Sequence, residues 1–159
     1  MTIADDRQVA SPAADISIRL FTETDAAECA RIFRDAWHSG HPYAPRDIGL
    51  AEFRAETSGE TVAVAAGRGR VVGFTGIYLP SSFVHHLYVD PEWHGRGIGR
   101  ALLAAAVAIA GGRATLKCQQ KNPDALSFYR RLGWTEGETG DSEVGPWVML
   151  HSPDPDKLR

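Results

Sequence analysis

Hydrophobic and polar positions along the chain change period in a way that predicts its elements. Ile16, Ile18 and Leu20 alternate with polar neighbours, so an opening strand is expected. Thr24 or Asp25 can cap a helix running to about Trp37, with Ala26, Ala30, Phe33 and Trp37 on one face. A glycine and two prolines within His38–Pro45 break it. Leu50, Phe53 and Arg54 then fall at helical spacing in a second helix from about Arg46 to Glu56. Thr61–Ala66 and Arg70–Tyr78 are β-rich runs joined by Gly67-Arg68-Gly69, a hairpin signal, and Phe83–Val89 makes a third consecutive strand that Pro91 ends. Gly95–Gly99 leads into a helix with Ile98, Leu102, Ala105 and Ile109 on one stripe, stopped by Gly111-Gly112.

Beyond it, Ala114–Cys118 reads as a short strand. Asn122 can cap a helix with Pro123 in its first turn, and Gly133 terminates that helix. Trp134–Glu138 and Trp147–Leu150 close the chain as strands. An antiparallel meander followed by a crossover helix into a parallel neighbour implies an α/β fold. Its central sheet should be mixed and mostly antiparallel, with flanking helices, rather than doubly wound and parallel.

Composition narrows the class. The 159 residues suit one domain, expected over residues 16–151, between a mobile N-terminal tail at 1–15 and a C-terminal tail at 152–159. A net charge of −3 offers no electrostatic grip on nucleic acid or anionic membrane. Cys29 and Cys118 form neither a disulfide framework nor a metal spacing, which fits a reducing cytoplasm. The longest apolar run, Ala101–Ala110, is about half of what a bilayer crossing needs, and Met1–Asp15 has no apolar signal-peptide region. The expectation is a soluble cytoplasmic protein.

The stretch Leu87–Arg100 carries the chemistry. A strand ends, the chain turns through Gly95, Gly97 and Gly99, and an amphipathic helix begins. The first backbone N–H groups of a helix lack intrahelical partners and favour anions, and glycines let a phosphate approach the backbone. A pyrophosphate cradle is therefore expected. It is not a nucleotide P-loop, because no Gly-Lys pair exists, and its G-x-G-x-G spacing departs from the dinucleotide G-x-G-x-x-G.

This stretch resembles motif A of the GNAT superfamily of N-acetyltransferases, [QR]-x-x-G-x-[GA], with Gly97 and Gly99 at the glycine positions and His94 where Gln or Arg is usual. Asn122, Ala125, Phe128, Tyr129 and Gly133-Trp134 resemble the family's second motif, in the family's order and separation. The resemblance spans about residues 16–151. It implies acetyl-CoA as acetyl donor and a primary amine as acceptor, joined by direct transfer in a ternary complex. It also implies that the backbone of Leu87, Tyr88 and Val89 pairs with the pantetheine arm, and that amides of Gly95, Arg96, Gly97, Ile98, Gly99 and Arg100 hold the pyrophosphate. Asn122 would bond pantetheine or order its helix, and Tyr129 would protonate the departing thiolate.

The base is less determined. By strand alternation His85 and His86 face opposite sides, His85 with Phe83, Leu87 and Val89. In the resembled family a base often comes from this strand, and His85 occupies one of the two usual places while Phe83 fills the other. Lys117 stands where some relatives place a glutamate. Trp37 and Tyr43, between the first two helices, are candidates for the acceptor pocket, with core packing the plainer alternative. His38-x-x-His41 has too few companions for a metal site. Cys118 reads as a small buried hydrophobe. A non-catalytic acyl-CoA-sensing module on the same fold is the rival reading, which has no need of Tyr129. Homodimers are common among relatives, and no patch in this sequence demands one.

Overall fold

The computed structural model describes residues 15–155. Residues 1–14 of the expected N-terminal tail, and residues 156–159, lie outside that range. The strands are β1 (Ile16–Leu20), β2 (Thr61–Gly67), β3 (Arg70–Tyr78), β4 (Phe83–Val89), β5 (Thr115–Gln119), β6 (Thr135–Ser142) and β7 (Gly145–His151). The helices are α1 (Ala26–Gly40), α2 (Leu50–Glu56), α3 (Ile98–Ile109) and α4 (Pro123–Arg131). Seven strands form one sheet in the order β1-β2-β3-β4-β5-β7-β6, antiparallel everywhere except between β4 and β5. The right-hand half of this order follows from α3, a crossover that must return the chain parallel to β4. The expected mixed, mostly antiparallel sheet with flanking helices is what forms.

Helices cover both faces, so β3 is buried from Val71 to Ile77, unlike a strand with one wet side. On one face α1 and α2 bring Phe33, Trp37 and Phe53 against Val64 and Phe74. On the other, α3 lays Ile98 and Leu102 on Ala65 and Val72, while Leu103 and Ala106 join Leu116, Leu126, Tyr129 and Trp134 in a second cluster. Phe33, Phe53, Phe74 and Leu102 are at most 1% exposed, and each such side chain stabilises by about 1.5–3 kcal/mol through burial.

Three differences from the sequence reading have local causes. The second helix starts at Leu50 rather than Arg46, because Arg46 is used from outside the helix: its guanidinium lies 4.7 Å from the Trp37 ring and pairs with Glu52 and Glu56. Ile48 plugs the core, and Gly49 is an extended N-cap. The first helix runs past His38 to Gly40 and stops at its C-cap His41, just before Pro42. Finally, residues 152–154 are not a free tail. Ser152 exchanges two hydrogen bonds of 2.9 Å with the backbone of Ala114, and Asp154 pairs with Arg113 at 3.1 Å.

Candidate active site

The parallel β4–β5 pairing lasts for only two positions, Phe83 with Thr115 and Val84 with Leu116. Beyond Val84 the two strands part, although β5 stays paired with β7 through Gln119. The cause is a β-bulge. Against β3, Gly76 pairs with His86 and Ile77 with Val84, so His85 has no partner. A bulge bends its strand and increases its twist, and here it swings the C-terminal half of β4 away from β5. Leu87, Tyr88 and Val89 are thereby left with one edge unpaired, facing an opening in the middle of the sheet.

At the end of β4, Asp90 accepts from Glu92 N (3.0 Å) and from Arg31 (3.0 Å), which fastens the turn to α1. The His94 ring lies 3.3 Å from Val89 O, in the place that Gln or Arg fills in the resembled motif. Gly97 is the N-cap of α3 with φ +78°, a conformation other residues adopt at a cost of roughly 1–2 kcal/mol. The helical ladder opens with Ala101 N donating to Gly97 O, so the amides of Ile98, Gly99 and Arg100 precede its first donor. A side chain on Gly99 would point between Phe128 of α4 and Val89. The Arg96 guanidinium is turned aside, 4.6 Å from the Trp93 ring. A bare helix N-terminus thus opens beside the free edge of β4, with α4 as the far wall.

Asn122 caps α4, its Oδ1 accepting from Ala125 N at 3.2 Å. Tyr129, on the buried side of α4, packs against Phe128 and Trp134. Burial, with Cys118 and Tyr88 nearby, pushes its phenol well above the usual range, so it stays protonated and able to donate. Burial also pushes the Cys118 thiol up to about 11, which leaves it inert at neutral pH.

Of the two proposed acceptor-pocket residues, Trp37 belongs to the core. Its indole N–H donates to Ala44 O (2.6 Å), and its ring stacks on His41 at 3.9 Å, so it shapes the 41–49 loop from beneath. Tyr43 is 36% exposed and sits 5.6 Å from Lys121 Nζ, just before α4. The side chain of Gly145, were there one, would meet the same lysine. The α1–α2 loop, the β5–α4 junction and the β6–β7 turn therefore converge at one mouth.

The histidines depart from the expected alternation. His85 and His86 do not face opposite sides: both rings reach one carboxylate, His85 Nδ1 at 2.5 Å from Glu60 Oε2 and His86 Nδ1 at 3.0 Å from Glu60 Oε1. Their ring centroids are 4.0 Å apart. Leu87 and Val89 pack on the α3 side, while His86 lies against Phe33 and Phe74 on the other. The bulge inserts one residue and shifts the side-chain parity across it. His85 is exposed and His86 is buried. Burial disfavours charge on His86, yet Glu56 and Glu60 beside it prevail and raise its pKa. Reciprocally, His86 and Arg46 hold Glu56 down at about 2.

Glu56 and Glu60 were not singled out from the sequence. Nothing in their spacing links them to residues some 25 positions on; the β2–β3–β4 meander does. The one available signal is Gly76 inside an otherwise apolar strand, since glycine there marks a close approach. A side chain at Gly76 would collide with Glu60 and lie 3.1 Å from His86 Nδ1.

The sequence profile of the acetyltransferase (GNAT) family matches residues 26–134, from the start of α1 to the end of the second motif. The chain belongs to this family. As a GNAT protein it is an acetyl-CoA-dependent N-acetyltransferase. It is 32% identical over 128 residues to the N-alpha-acetyltransferase RimI of Mycobacterium tuberculosis, covering 75% of this chain and 78% of that one. It is 32% identical over 137 residues to an aminoglycoside N(6')-acetyltransferase type 1 of Stenotrophomonas maltophilia, covering 77% and 88%. The GNAT fold is shared with Salmonella typhimurium YncA, solved with its cofactor acetyl-CoA, at a TM-score of 0.68 and 20% identity over 86% of this chain and 92% of that one. Among the described residues no helix is long and apolar enough to cross a membrane.

Proposed function

We propose that this GNAT chain moves the acetyl group of acetyl-CoA directly to a primary amine, with both substrates bound at once in the opening between β4 and β5. The observation that carries this reading is the coincidence of the His85 bulge, the unpaired edge of Leu87–Val89 and the bare N-terminus of α3. An extended pantetheine arm adds to the β4 edge as a short strand does, and the amides from Gly95 to Arg100 receive the pyrophosphate. Asn122 orders α4, and Tyr43 stands at the mouth through which the amine enters. RimI and the aminoglycoside enzyme are named for acetylating amines, which supports an amine acceptor in this chain.

The amine nitrogen attacks the thioester carbonyl carbon, a C–N bond forms, and the C–S bond breaks as the tetrahedral centre collapses. A β4 backbone N–H polarises the carbonyl oxygen. His85, exposed at the bulge, accepts the proton lost by the amine, and Tyr129 supplies a proton to the leaving thiolate. An acetyl-enzyme on Cys118 is disfavoured by its raised thiol pKa.

A panel of primary amines, assayed for thiol release from acetyl-CoA over a grid of both concentrations, tests the reading. Intersecting initial-rate lines are expected, with His85→Ala losing at least about tenfold in kcat/KM. Parallel lines, or no amine-dependent thiol release from the folded protein, would contradict it.

A further inference from the structure

The cluster around Glu60 has the arrangement of a metal site. An ionised carboxylate can only accept hydrogen bonds, so Glu60 accepts from the Nδ1–H of each ring, and a metal that displaces the further proton favoured on His86 finds a lone pair on each Nε2. A carboxylate behind a histidine in this way orients the ring and raises its basicity as a ligand. His86 Nε2 lies in a side chain only 2% exposed and has no hydrogen-bond partner among the described residues; Glu56 Oε1 lies 3.8 Å away. Ligating atoms of Glu56, His85 and His86 all fall within 4.8 Å of one another. Adjacent strand residues reach one point only because the bulge at His85 cancels their alternation.

Charge agrees with geometry. Glu52 and Glu56 both pair with the one guanidinium of Arg46, which is 3.4 Å from Glu56 Oε1, and Glu60 is paired with the two histidines. Three carboxylates against one guanidinium leave two negative charges once a metal has displaced the His86 proton, and a divalent cation balances them. Two imidazole nitrogens and one carboxylate oxygen suit zinc and its neighbours rather than calcium or magnesium, which prefer oxygen ligands. The His85 side chain is 41% exposed, so a fourth coordination position faces solvent.

We propose that Glu56, His85 and His86 bind a divalent transition metal of the zinc class, oriented by Glu60, and that the bound metal withdraws His85 from proton transfer. The second half rests on His85 being the base, as assigned above; the first half does not. A metal on His85 Nε2 occupies the lone pair that otherwise takes the amine proton, so the loaded protein is the inactive form.

Cobalt(II) chloride titrated into the chelator-stripped full chain tests both halves. A saturable visible absorption band at one cobalt per chain is expected, displaced by zinc. Glu60→Gln should lower cobalt affinity by about 10–100-fold. His85→Ala and Glu56→Gln, both on the exposed side of the cluster, should lower it by at least as much. His151→Ala, at a half-exposed histidine on β7 outside the cluster, should leave it unchanged. Absence of a saturable band in the folded protein, or its survival in both ligand variants, overturns the site. Zinc should also suppress thiol release in step with occupancy, and a chelator should restore it. Full occupancy with undiminished turnover overturns the second half, and with it the base assignment, while the site stands.

Discussion

Gly99→Val separates what α3's first turn does for the fold from what it does for the cofactor. Gly99 has no left-handed backbone requirement, and a Cβ there meets Phe128 at 3.5 Å and Val89 at 3.6 Å, which is ordinary contact. The folded protein should therefore accept Ala at this position, and Val with little cost. The branched methyls, however, extend into the space between the helix terminus, Val89 and Phe128 where the pyrophosphate is placed. A phosphate held off one backbone amide forfeits a charge-assisted hydrogen bond worth about 1.5–3 kcal/mol, or about a 10–150-fold rise in the acetyl-CoA Kd. Gly97→Val is the contrast. Its φ of +78° forces strain on a β-branched residue, so its Tm should fall as well as its affinity. Calorimetric titration beside thermal melts reads both effects. If Gly99→Val binds acetyl-CoA within twofold of the wild type, the pyrophosphate does not lie against this turn.

Tyr129→Phe keeps the ring packing against Phe128 and Trp134 and removes only the hydroxyl. Steady-state turnover should fall by about 10²–10⁴-fold with little change in acetyl-CoA affinity, and a loss under about threefold would show that the thiolate is protonated otherwise. Asp25 is held below the usual carboxylate range by hydrogen bonds from Arg19 and from Thr22, against its own burial. A depressed folded-state pKa means that this stabilisation is fully present above the unfolded carboxylate pKa of about 3.9. It is lost as pH falls through the lower folded value. Asp25→Asn should therefore lower stability by about 1 kcal/mol at neutral pH, and less in acid, where urea melts should converge.

The elements were legible because their signals are local. Pro91, the Gly111-Gly112 stop, the Asn122-Pro123 cap and the 67–69 hairpin each fix a boundary through backbone chemistry alone, and each boundary lies within a residue or two of expectation. The glycine turn and Tyr129 were legible as motif. What the sequence hid is non-local. Arg46 reads as a helical residue until its stacking on Trp37 is visible. The bulge at His85 leaves no trace in an unbroken run of β-forming residues, yet it reverses the side-chain parity, opens β4 from β5 and gathers two histidines on Glu60. Gly76, which makes room for that carboxylate, carries the one sequence signal of it, a glycine inside an apolar strand, and was not read as such.

Backbone hydrogen exchange on the full chain, with and without acetyl-CoA, tests the central claim most directly. The amides with no present partner should be the ones the cofactor covers. Saturating acetyl-CoA should slow exchange at Leu87–Val89 and at Gly97–Arg100, and leave the β1–β2 edge and the β6 edge unchanged. Tight acetyl-CoA binding with no added protection at either segment would place the cofactor elsewhere and contradict the account.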